Sequence, residues 1–173
     1  DSPYPSSSSA LVTGKAALDA GHTHYGPSMG LPEFRAGLSK LVRDEFGIAA
    51  GPENVVVAPG AKPFEQFFCE LFLEPGDAVL VFEPAFPTYA PSPARRGAAM
   101  VTAPLTPERE FRPDLGAVER FLRDEPRAKA VFLNTPHNPT GGVASKSDLE
   151  GLAALLRGTN VALFSDEPYC HMV

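Results

Sequence analysis

Three side chains, Asn138, Asp166 and Tyr169, are of the types that hold a polar small molecule, and each follows an apolar run. Asn138 lies in Asn134-Thr135-Pro136-His137-Asn138-Pro139-Thr140-Gly141, after Ala130-Val131-Phe132-Leu133; Asp166 and Tyr169 lie in Asp166-Glu167-Pro168-Tyr169, after Val161-Ala162-Leu163-Phe164. A carboxylate in a partly dry pocket favours a cation opposite it, so Asp166 is suited to keep a ring nitrogen protonated. An amide and a phenol can both donate to one ring oxygen, which suits Asn138 and Tyr169 to that task. Earlier, Pro59-Gly60-Ala61-Lys62 precedes an aromatic helical run. Free N–H groups at a helix start are a natural seat for a phosphate, and Gly60 permits close approach. His22, His24, His137 and His171 have no metal-ligand spacing, and no metal is expected; His137 lies inside the motif, at the rim of the expected pocket.

The elements that must position these groups are legible from periodicity. Short apolar strands are predicted at 54–58, 78–82, 98–103, 130–133 and 161–164. Helices are predicted at 10–20, at 31–46 with Pro32 in the first turn and Gly47 at the stop, and along 64–72, where Phe64, Phe67, Phe68, Leu71 and Phe72 share a face. Two more are predicted after Pro113-Asp114 and from Ser145 to Leu156, the latter opened by a capping box of Ser145 and Asp148. Strands alternating with helices argue for βαβ units in an α/β fold with a parallel or mostly parallel sheet. Both polar motifs then fall at strand ends, the edge where open α/β sheets bind ligands.

Composition sets the class. A chain of 173 residues, 43% hydrophobic and 21% charged, can bury a proper core and is neither disordered nor a coiled coil. The net charge of −6 comes without a basic block, so neither nucleic acid nor a membrane surface is an expected partner. Cys69 and Cys170 lack metal-site spacing and read as unpaired thiols in a reducing compartment; with no apolar span or leader, the expectation is a cytoplasmic protein. The 19 prolines punctuate element boundaries and form no repeat.

Taken with three further motifs, these residues resemble the class I/II aminotransferases, fold type I enzymes that use pyridoxal 5'-phosphate. The Asn-x-Pro-x-Asn-Pro-Thr-Gly run at 134–141 and the Asp-x-x-Tyr at 166–169 match the family. So do Tyr25-Gly26-Pro27-Ser28-Met29-Gly30-Leu31-Pro32-Glu33-Phe34-Arg35, the Glu74-Pro75-Gly76-Asp77 turn and the aromatic loop Glu83-Pro84-Ala85-Phe86-Pro87-Thr88-Tyr89. The resemblance implies a three-layer αβα large domain with a mostly parallel mixed sheet, residues 25–173 forming part of it and residues 1–24 a helical segment leading in. It implies that Asp166 pairs with the pyridinium nitrogen and that Tyr169 and Asn138 contact the ring oxygen, Asn138 also helping to hold the substrate carboxylate. Phe86 would stack on the ring, while Gly60, Ala61 and Lys62 would contact the phosphate. Tyr25 would reach the phosphate of a neighbouring subunit, implying a homodimer with shared active sites.

The implied activity is transfer of an amino group between an amino acid and a 2-oxo acid, within amino acid metabolism and biosynthesis. The family's Schiff-base lysine and its carboxylate-binding arginine come further downstream than Val173, and Lys15, Lys40, Lys62, Lys129 and Lys146 are not in that lysine's context. The chain therefore reads as part of a longer protein, expected to be inactive alone. The same motifs occur in lyases, γ-replacement and cyclising enzymes of the fold, such as aminocyclopropane-carboxylate synthases and carbon–sulfur lyases, and in cofactor-sensing domains of transcription regulators, so these remain alternatives.

Overall fold

The computed structural model describes residues 5–172. It contains two compact units, one reaching to Ala58 and the other starting at Pro59.

In the first unit, helix α1 spans Ser8–Asp19 and is opened by Ser7, whose hydroxyl accepts from the Ala10 N–H. Helix α2 spans Pro32–Phe46 and stops at Gly47, whose φ of 67° is the left-handed conformation of a helix end. Its buried residue is Ser39, whose hydroxyl donates to the Ala50 carbonyl at 2.7 Å. The strand expected at 54–58 does not form: a 3-10 turn covers Pro52–Asn54 and the residues after it are irregular. Its backbone groups are already committed. Arg35 donates through Nε to the Val55 carbonyl and through Nη2 to that of Pro52, while the Val57 N–H donates to Met29. Gly30 permits that last approach, since a Cβ there would lie 2.7 Å from Val57 Cβ.

The second unit is built on four parallel strands: β1 (Ala78–Glu83), β2 (Ala99–Pro104), β3 (Ala128–Asn134) and β4 (Ala162–Asp166), in the order β2-β1-β3-β4. Helix α3 (Lys62–Phe72) leads into β1, and α4 (Pro91–Arg95), α5 (Leu115–Asp124) and α6 (Lys146–Leu156) lie in the connections between successive strands. Side chains alternate across the sheet as strand geometry requires. Leu80, Phe82, Val131 and Leu133 pack with Val118 and Phe121 of α5 and Leu152 of α6. Val79, Val81, Ala130 and Phe132 pack with Cys69 of α3, Leu73 and Tyr89. The result is a three-layer αβα arrangement in which the described strands are parallel throughout.

Helix α3 packs differently from the reading of its apolar pattern. Phe67 and Leu71 are exposed, whereas Glu65 and Cys69 are buried and Phe68 stacks among Phe72, Phe132 and Phe164. The sheet-facing side chains are therefore Glu65, Phe68 and Cys69, at helical spacing with an acid at their head.

The capping box of α6 forms as expected. The Asp148 N–H donates to the Ser145 hydroxyl at 3.2 Å, the Ser145 N–H donates to Asp148 Oδ2 at 2.9 Å, and Arg112 Nη1 reaches the same oxygen at 3.2 Å. Burial pushes the Asp148 carboxyl up, but the Ser145 hydroxyl and N–H and the Arg112 charge outweigh it and hold the group below the ordinary carboxylate range. A carboxyl depressed in the folded state releases its proton more readily there than in the unfolded chain. Its contribution is therefore present above the unfolded value, about 3.9, and is lost as pH falls through the lower folded value. Comparison of wild type with Asp148→Asn by thermal melting is expected to show a Tm advantage near neutrality that shrinks in acid below about pH 4; an advantage unchanged in acid would contradict this.

Candidate functional site

Loops leaving the carboxyl ends of β1, β3 and β4 emerge on one edge of the parallel sheet, with the start of α3 beside them. They enclose a cleft of about 300 Å³, lined by Gly60, Lys62, Glu65, Phe86, Asn138, Asp166 and Tyr169 among others.

Asp166 closes β4 opposite Asn134 of β3 in the ladder. The Asn134 amide ties two loops together: Nδ2 donates to the Asp166 carbonyl at 2.8 Å, and Oδ1 accepts from the Asn138 N–H at 2.7 Å. The Asp166 carboxylate accepts the Tyr89 hydroxyl at 2.5 Å. Burial first, then that hydrogen bond and the Asp166 charge, push the Tyr89 phenol far above its ordinary value, so it is a permanent donor. Asn138 Nδ2 donates to the Tyr169 hydroxyl oxygen at 3.2 Å. The phenolic proton of Tyr169 is thereby left to donate to a further acceptor.

At the other end of the cleft, α3 begins at Lys62 with no side-chain cap. Gly60, with φ of 84° and open space where a Cβ would stand, turns the chain into it. An uncapped helix start beside a glycine turn matches a phosphate. Phe86 supplies an aromatic wall, with Lys62 Nζ 5.5 Å from its ring centre. Acid, paired donors, aromatic wall and anion seat fit pyridoxal phosphate: the donor set answers its ring nitrogen, ring oxygen and phosphate separately.

The cleft thus brings together Gly60, Ala61, Lys62, Phe86, Asn138, Asp166 and Tyr169. Tyr25 belongs to the first unit and is fully exposed. His137 is buried: its Nδ1 lies 2.8 Å from the Thr140 hydroxyl, and burial lowers its basicity against an opposing contact with the Pro84 carbonyl. Among the described residues no group of three or more His, Cys, Asp or Glu could hold a metal, and no helix is long and apolar enough to cross a membrane.

Three contributors were not singled out by sequence: Asn134, Tyr89 and Glu65. Tyr89 and Asn134 lay within recognised motifs, where only partners distant in sequence reveal their work. Glu65 carried a signal, an acid one turn ahead of the apolar pair Phe68 and Cys69.

An aspartate aminotransferase of Pyrococcus abyssi is 36% identical over 160 residues, covering 92% of this chain and 41% of that protein. An aspartate/prephenate aminotransferase of Thermus thermophilus is 37% identical over 159 residues, again 92% of this chain and 41% of the relative. The solved Thermus thermophilus aspartate aminotransferase with maleate superposes with a TM-score of 0.94 at 34% identity, over 99% of this chain and 44% of that one. The chain spans about two-fifths of the length of the curated relatives it matches. A family model described as aminotransferase class I and II matches residues 4–173, in agreement with the fold: the chain belongs to the class I and II aminotransferase family.

Proposed function

We propose that the whole protein is a pyridoxal-phosphate-dependent aminotransferase that moves an amino group between an amino acid and a 2-oxo acid. The observation that carries this is the convergence of Asp166, Asn138 and Tyr169 with the uncapped start of α3 in one cleft.

Pyridoxal phosphate, when bound, supplies an electron sink that acidifies the Cα–H bond of an attached amino acid. The chain's own residues set the conditions. Asp166, an anion steadied by the Tyr89 hydroxyl, holds the proton on the ring nitrogen. Tyr169, oriented by the Asn138 amide, donates to the ring oxygen, and Asn138 also helps hold the substrate carboxylate. Phe86 covers the ring and keeps water from its face; Gly60, Ala61 and Lys62 hold the phosphate, Lys62 adding a positive charge. Tyr25, exposed on the first unit, reaches a neighbouring subunit's phosphate in a homodimer with shared sites. Two cysteines without a disulfide among the described residues support a cytoplasmic setting.

The test is to titrate the purified whole protein with pyridoxal phosphate, following its absorbance, and then assay amino acids against 2-oxo acids. Uptake in stoichiometric amount with cofactor-dependent transfer is expected. A protein that takes up no cofactor, or that only eliminates or cyclises its amino acids, would sink the reading.

A further inference from the structure

Three acids are buried among the described residues, and one of them lacks an ion pair. Asp77 meets Arg127 and Asp148 meets Arg112, but Glu65, only 2% exposed, has no cation within ion-pair distance among the described residues. Its carboxyl lines the same cleft as Asp166 and accepts the Thr88 hydroxyl. Thr88 and Tyr89 are consecutive, so one loop delivers neighbouring hydroxyls to two carboxyls, one on α3 and one at the end of β4.

We propose that Glu65 is a neutral acid that stores a proton in the cleft it shares with Asp166, leaving Asp166 as the charged carboxylate there. The role is that of a positioning and charge-tuning residue, and it rests on the cleft being the cofactor site.

The surroundings favour that arrangement. Asp166 faces Glu65 from β4 with like charge, and Tyr89 faces it from the loop as a neutral donor already committed to Asp166. Lys62, one turn earlier on α3, offsets the repulsion without forming a pair, and Cys69, one turn later, is a neutral thiol pushed up to about 11, by burial first. Burial is the largest influence on Glu65; the Thr88 bond opposes it, the Asp166 charge adds to it, and the group is left above its ordinary value. Two carboxylates sharing a partly dry site do not both ionise readily. As a neutral acid, Glu65 can accept from Thr88 on one oxygen and donate from the other into the cleft.

The experiment uses the whole protein and two readouts. The first is the melting temperature of the cofactor-free protein, wild type against Glu65→Gln, whose amide still accepts from Thr88. A carboxyl raised in the folded state binds its proton more tightly there than when unfolded. Wild type is therefore expected to lose stability relative to Glu65→Gln as pH rises from about 4.3, levelling off once the folded group ionises. The second is the pH titration of the bound cofactor's absorbance, where wild type is expected to show one ionisation step that Glu65→Gln lacks, the two agreeing within about twofold in cofactor affinity at acid pH, where the side chain at position 65 is neutral in both.

A Tm difference that does not change with pH in a protein that takes up cofactor would overturn this proposal alone. So would identical absorbance titrations. A wild-type protein without cofactor uptake overturns the tuning role together with the reading beneath it. Should Glu65→Gln not fold, Thr88→Ala removes the donor that favours the anion and is expected to move the step to higher pH; an unmoved step, or one moved lower, overturns the proposal.

Discussion

Replacing Asp166 by Asn in the whole protein is expected to lower kcat for amino transfer on the order of 10²–10³-fold while leaving the melting temperature close to wild type. The amide oxygen of Asn can still accept the Tyr89 hydroxyl that Asp166 accepts at 2.5 Å, so the loop from β1 stays anchored. What is lost is the negative charge that favours a protonated ring nitrogen. Asp166→Ala loses both, and the buried Tyr89 hydroxyl is left without its acceptor, a cost of about 1–3 kcal/mol. The pair of variants separates electrostatics from architecture: both should be slow, but only Asp166→Ala should also melt earlier. Steady-state turnover at saturating cofactor, read beside thermal melting, checks this, and a near-wild-type rate for Asp166→Asn would refute the role given to the carboxylate.

The second large effect is on stability. Phe132 on β3 is 1% exposed and touches three other aromatic rings: Phe68 at 5.6 Å between centres, Tyr89 at 5.3 Å and Phe164 at 5.0 Å. It therefore joins α3, the loop that carries Phe86, and β4, three of the elements that contribute to the cleft. Phe132→Ala should cost about 3–5 kcal/mol, through lost burial and the cavity left where neighbours cannot fully collapse. Because Tyr89 rests edge-on against this ring, cofactor affinity should fall as well. Denaturant unfolding of the variant gives the first quantity and absorbance titration the second; a loss below about 1 kcal/mol would show that the aromatic cluster repacks.

Much of this was open to inspection before any fold was known. The strands at 78–82 and 130–133 announced themselves as unbroken apolar runs, because strands buried on both faces carry no polar alternation. Helix α6 declared its start through Ser145 and Asp148, a purely local device. The run at 54–58 misled for the complementary reason. Val55, Val56 and Val57 have strand-forming side chains, but pairing is a non-local property, and here Arg35 and Met29 take up the backbone groups of Val55 and Val57. In α3 the count of phenylalanines outweighed their phase, and the face that packs is headed by an acid.

The sequence by itself determined the α/β alternation, the placement of Asn138, Asp166 and Tyr169 at strand ends, and the family those motifs mark, since each depends on residue type and short-range spacing. Tertiary structure alone decided that Tyr89 donates to Asp166 across 77 residues, that Asn134 fastens two loops, and that Glu65 shares the cleft with a second carboxyl. The physical reason is the parallel sheet: it gathers loops far apart in sequence onto one edge, where charges and hydroxyls meet partners that no local pattern encodes.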